Sequence, residues 1–219
     1  MRRAYIEAHV PLSEAFAAAR RWADGEAATL IAPSTGAVEA QPWLEMAGVE
    51  IGTSSNRHSR FSARPHGAVI GWCLNLEEVL EIESRSSVSS FVAVQAHASH
   101  APWITAHDVE PLAGSDIARV PEATEAIKAM VEGISLLPVL NQGLSDSRER
   151  SMAVQALTFM RARGHELDPK QLIVEAIRQG WAGVSPLEFA GLARDLNRGK
   201  RLRFQNRIDI RALERWSSA

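Results

Sequence analysis

GAVIGWC at Gly67–Cys73 and SFVAVQA at Ser90–Ala96 bracket a short helical stripe, Leu76, Val79, Leu80 and Ile82, and this stretch decides the fold. Two apolar runs of strand length flank a segment of helical period, so the order reads strand, helix, strand. Strands joined through a helix pair in parallel, by a right-handed crossover.

The same rhythm extends upstream. Ala28-Thr29-Leu30-Ile31-Ala32 is a buried strand stopped by Pro33. Before it, Ser13 reads as an N-cap, and Ala15, Phe16, Ala19 and Trp22 recur at helical spacing as far as Gly25. Trp43 to Gly48 makes one helical turn ahead of a short strand, Val49-Glu50-Ile51. The expected fold class is therefore α/β: a small, mostly parallel sheet with flanking helices over residues 1–115.

Downstream the character changes across Gly114–Pro121 (GSDIARVP). From 121 to 219 the pattern predicts a helical domain with a basic C-terminal tail. Ile127, Met130, Val131, Ile134 and Leu137 share a face. Asp146 with Glu149 forms a capping-box pattern for a helix that runs to Arg163 and stops at Gly164. Asp168-Pro169-Lys170-Gln171 supplies an N-cap, a proline at the first helical position and a glutamine placed to reach back. Ser185-Pro186-Leu187-Glu188 repeats the device for a helix ending at Asn197-Arg198-Gly199.

Composition bounds the class. Of 219 residues 46% are hydrophobic and 23% charged, which is ordinary globular usage rather than disorder. The apolar runs are much shorter than the ~20 residues needed to cross a bilayer. After Met1-Arg2-Arg3, Glu7 and His9 interrupt any leader-like stretch. Cys73 stands alone, which excludes an internal disulfide and a cysteine-rich zinc site. These features predict a cytoplasmic protein that does not enter membranes.

The net charge of −2 hides an asymmetry. Residues 194–215 carry eight basic and three acidic side chains, net +5, which leaves −7 on the remainder. Such a segment suits a polyanion, an acidic protein partner or the acidic body of the same chain. The helices at 169–179 and 186–198, with Gly180-Trp181-Ala182-Gly183-Val184 between them, have helix-turn-helix spacing. In that arrangement Arg203 to Ile210 would form a wing or arm, and Arg198, Lys200, Arg201, Arg203 and Arg207 would contact phosphates. Glu188 and Asp195 on the second helix oppose this mode.

A second candidate site lies where the strands end. Ser34, Thr35, Ser54, Ser55, Cys73, Asn75, His97 and His100 follow strands and would line one carboxyl edge, where open α/β sheets bind ligands. Gly52 to Gly67 reads as a long loop with Arg57, His58, Arg60, Arg64 and His66 and no acid. Guanidinium groups and hydroxyls there would suit a phosphate or carboxylate. Arg57, His58, His97 and His100 are the ligand-binding candidates. His97, His100 and His107 have no standard zinc spacing, so no metal is expected. Cys73 would be a nucleophile only if a histidine lowered its pKa.

Ala32-Pro33-Ser34-Thr35-Gly36-Ala37 lacks the Gly-Lys-Ser/Thr ending of a phosphate loop, and neither GxGxxG nor GxSxG occurs. No cofactor is expected. The six tryptophans are scattered as core residues are. Three functions stay open: a nucleic-acid-associated accessory or regulatory protein, an enzyme or binder of a small phosphorylated or carboxylated ligand, and a protein-interaction module.

Overall fold

The computed structural model describes residues 1–23, 28–55, 60–137, 144 and 146–219. The chain divides into two compact units, Met1–Arg119 and Val120–Ala219.

The first unit is an α/β sheet with helices on both faces. Its strands are β1 (Arg2–Glu7), β2 (Ala28–Ala32), β3 (Glu50–Ser55), β4 (Arg60–Phe61), β5 (Gly67–Trp72), β6 (Val88–Ala96) and β7 (Pro111–Ala113). They lie in the order β4-β3-β2-β5-β6-β1-β7. Every described pairing is parallel except that of β4 with β3. The parallel sheet expected from residues 28–96 is therefore present.

Its helices are α1 (Leu12–Trp22), α2 (Thr35–Glu39), α3 (Leu76–Glu83) and α4 (Ala101–His107), with a 3-10 turn at Pro42–Ala47. One face of the sheet packs Ile6, Leu30, Ile70 and Val92 against Phe16 of α1 and Val38 of α2. On the other, Phe91 meets Trp103 of α4 edge-on, ring centroids 5.7 Å apart. Connections running toward β3 thus place helices on one face, and those running toward β7 use the other, as right-handed crossovers require.

The sequence reading omitted β1. Only Ala4, Tyr5 and Ile6 of it are buried, a run too short to signal a strand, yet it pairs with β6 from Arg2↔Ser90 onward. The Tyr5 hydroxyl donates to Asp116 Oδ1 at 2.6 Å and accepts the Ile117 N–H at 3.0 Å, which ties the end of the unit to this strand. The expected loop at 52–67 is partly sheet. β3 runs on to Ser55, and β4 turns back with Ser54 opposite Phe61. Gly52 is needed there, since a Cβ would stand 2.7 Å from that of Ala63.

The second unit is helical: α5 (Glu125–Ser135), α6 (Ser147–Ala162), α7 (Pro169–Arg178), α8 (Ser185–Asn197) and α9 (Ile210–Ser217). α6 is its axis, with every residue from Met152 to Leu157 buried. Ile127, Met130, Val131 and Ile134 of α5 join it, along with Leu172, Phe189 and Leu196. α9 closes the unit through Leu213 and Trp216. Its contact with α5 depends on Gly133, where a Cβ would overlap the Trp216 indole.

The caps are simpler than their sequence patterns. Asp146 accepts the N–H groups of Arg148 and Glu149, and Asp168 accepts that of Lys170. Glu149 does not reach back. The residue is 1% exposed, and neither carboxylate oxygen has a partner among the described residues. Gln171 turns aside to donate to the Glu122 carbonyl at 3.2 Å. Ser185 lies inside α8, whose N-cap is Val184, and Ser13 lies inside α1 behind Pro11.

Candidate nucleic-acid interface

The carboxyl edge of the sheet holds polar residues, of which Ser34, Asn75 and His100 spend hydrogen bonds within the fold. At the point where the strand order switches direction, β2 and β5 are parallel neighbours, and the loops after them bring Ser34 and Asn75 to the same edge. Ser34 caps α2 through the Ala37 N–H at 3.2 Å. Asn75 caps α3 in a reciprocal box with Glu78.

His97 and His100 follow the adjacent strand β6, ring centroids 4.8 Å apart. His100 is buried. Its Nε2–H donates to the Leu74 carbonyl at 2.9 Å, and its Nδ1 accepts the His97 N–H at 3.2 Å. Both ring nitrogens are thereby used in the neutral tautomer, and burial holds the pKa below its ordinary value. His97 is exposed and shares a 2.8 Å bond with the Ser99 hydroxyl. Arg57 and His58 lie outside the described residues. Cys73 is exposed with φ 51°, its N–H donating to the Val94 carbonyl at 3.0 Å. Among the described residues no group of three or more His, Cys, Asp or Glu is placed to hold a metal ion.

Near β1, Glu83 binds Arg3 Nε at 2.7 Å and His107 Nε2 at 3.2 Å. Burial alone would raise this carboxyl, but the His107 bond and the Arg3 charge outweigh it and hold it low. The cluster joins α3 and α4 to β1 and is a packing device.

The basic residues of the helical unit are arranged differently. Arg198, Lys200, Arg201, Arg203 and Arg207 are all exposed. Gly199, at φ 81°, ends α8 and turns the chain into an irregular stretch that reaches Asp209. That stretch is anchored at both ends by apolar side chains, Leu202 partly and Ile208 fully, packed on the unit's core. Buried Gln155 of α6 fixes its far end. The Gln155 side-chain carbonyl accepts the Arg207 N–H at 2.7 Å and the Ile208 N–H at 2.9 Å, while its amide donates to the Ile208 carbonyl at 2.9 Å. Residues 203–207 thus form an exposed strap held against α6, rather than a free tail or a β wing.

Two grooves flank the start of α6. Arg148 and Arg150, two positions apart, point to different sides of the helix. The Arg150 groove also contains Arg194 and Arg198, but Glu188 and Asp195 line it as well, so its charge is mixed. Lys200 is paired with Asp195 at 2.7 Å, and that ammonium holds the aspartate below its ordinary pKa. The Arg148 groove, about 340 Å³, collects Arg203 and Arg207 from the strap, and among the described residues no acid lines it. Among the described residues Arg201 and Arg203 make no ion pair.

The structure offers little to a recognition-helix mode. Most of α8 is core: Ser185, Pro186, Phe189, Ala190, Leu192, Ala193 and Leu196 are buried. Its exposed positions are Glu188, Arg194 and Asn197. A helix reading a major groove needs a polar, neutral or cationic outer face.

Among known protein families, the one described as "Domain of unknown function (DUF1889)" matches residues 124–217. That span runs from Thr124, the N-cap of α5, to Ser217, the last residue of α9, so the similarity covers the helical unit. No curated protein and no solved structure matches the chain. Among the described residues no helix is long and apolar enough to cross a membrane.

Proposed function

We propose that the helical unit binds nucleic acid through the basic segment from Arg198 to Arg207. The observation that carries this reading is the exposure of all five cations on a stretch pinned to the fold; among the described residues, Lys200 is the one of the five in an ion pair. Exposed guanidinium groups carried on a held backbone suit phosphate oxygens, which they bind by paired N–H donors. The contact is made by the strap and the start of α6, not by inserting α8 into a groove. An accessory or regulatory role in the cytoplasm follows, where nucleic acid is the abundant polyanion and a lone cysteine stays reduced.

Replacing Lys200, Arg201 and Arg203 together with Ala is the test, read as DNA and RNA affinity at two salt concentrations beside the melting temperature. Wild-type binding should fall steeply with salt, by a log–log slope of about −0.9 per duplex phosphate neutralised. The triple variant should bind weakly, with a flatter slope and an unchanged melting temperature. Absence of wild-type binding at low salt overturns the reading in favour of an acidic protein partner. Early melting of the variant would mean that the segment is structural.

A further inference from the structure

We infer that the Arg148 groove seats one nucleotide of a single strand, its phosphate on the arginines and its base on Phe204; this rests on the nucleic-acid reading above. Three cations converge there from two separate parts of the chain: Arg148 from α6, and Arg203 and Arg207 from the strap. Ser147 and Ser151, one helical turn apart, line the same wall. Gln155, a further turn along that face, is the residue that holds the strap in place. The arrangement is therefore a built one, with spacing set by a buried side chain.

The groove's chemistry separates into two parts. Its volume of about 340 Å³ lies within the ~300–1,000 Å³ usual for small-molecule sites. The Asp146 carboxylate already occupies the N–H groups of Arg148 and Glu149, so the helix end has no amide to spare at those positions. Anion recognition falls to the side chains. The Arg207 guanidinium donates to the Gln205 side-chain carbonyl, which orients it and leaves further N–H donors for a phosphate.

Phe204 is the unexpected component. It is 36% exposed, on a strap whose neighbours are charged or polar. An aromatic ring set among phosphate-binding cations is the combination that single-stranded nucleic acid uses, because an unpaired base offers its face for stacking. In a duplex those faces are covered by neighbouring base pairs, so Phe204 would add nothing. A preference for single strands follows.

The test measures anisotropy of a fluorescein-labelled oligothymidylate and of a labelled duplex, with wild type, Phe204→Ala and Arg148→Ala. Arg148 is exposed and Phe204 partly so, and unchanged melting temperatures verify folding. Phe204→Ala should weaken single-strand binding about tenfold, the scale of one lost base–aromatic stack, and leave duplex binding unaltered. Arg148→Ala should reduce the single-strand salt slope by about 0.7, one phosphate contact. If duplex and single strand bind equally and Phe204→Ala has no effect, this inference fails while the broader reading stands. If neither binds wild-type protein at low salt, both fail.

Discussion

The side-chain carbonyl of Gln155 accepts the backbone N–H of Arg207 at 2.7 Å, and that bond fixes where the basic segment lies. Gln155 sits in the middle of the most buried stretch of α6, which shields its amide from solvent. It satisfies the chain at Arg207 and Ile208 on both donor and acceptor sides. A polar group this buried is expensive to leave unpaired, which makes the strap's position a property of the core.

Gln155→Leu is the direct check on that statement. The apolar replacement fits the site's size but removes the acceptor for two amides and the donor for one carbonyl. A stability loss of about 1–3 kcal/mol is expected. Hydrogen exchange should quicken selectively at Arg207 and Ile208, and nucleic-acid affinity should fall although no arginine is lost. Unchanged exchange at those two amides would show that the strap is held by Ile208 and Leu202 alone.

Glu149 invites a pH experiment. Burial first, then the neighbouring Asp146 charge, raises its carboxyl above the ordinary 4.5. The folded state therefore favours the protonated acid. That stabilisation is complete below the unfolded pKa and is lost as pH rises through the raised folded value. Glu149→Gln should raise the melting temperature at neutral pH, by roughly 1–3 kcal/mol in stability, with the gain shrinking toward acid. A variant equally or less stable at neutral pH would mean that the carboxylate has a stabilising partner.

His100 gives the opposite slope in a higher window. Burial lowers its folded pKa below 6.5, so its contribution is fully present above 6.5 and declines as pH falls toward the folded value. The imidazole resonances of His100 should titrate below 6.5 in an NMR pH series. His100→Gln keeps a donor for the Leu74 carbonyl while removing the proton uptake. It should flatten the fall in melting temperature between about pH 7 and about pH 5. Glu83 acts in a separate range: its depressed pKa contributes stability above 4.5 that is lost as pH falls through the folded value.

The sequence by itself determined the elements whose signals are local. The runs at 28–32 and 67–73 and the stripe at Leu76–Ile82 announce strand, helix and parallel pairing, because burial on both faces forces continuous apolar runs. The stop at Gly199 was equally legible, as were the caps at Asp146 and Asp168, since each involves neighbours in the chain. The basic cluster was visible as charge, and its exposure could be expected from solvation alone.

Tertiary structure decided what depends on distant partners. β1 is a strand because β6 and β7 flank it, and its three buried residues say nothing of that in isolation. Glu149 and Gln171 carry the letters of a cap, but packing turned one inward and drew the other to Glu122. His100 is a ligand candidate by sequence, and only the approach of the Leu74 carbonyl shows that its ring is bonded within the fold. The groove joins Arg148 to Arg203 and Arg207 across more than fifty positions. No periodicity spans such a separation. The groove exists because Gln155 is buried with its hydrogen bonds unmet by its own helix, and the one segment that satisfies them carries Phe204 and two arginines with it.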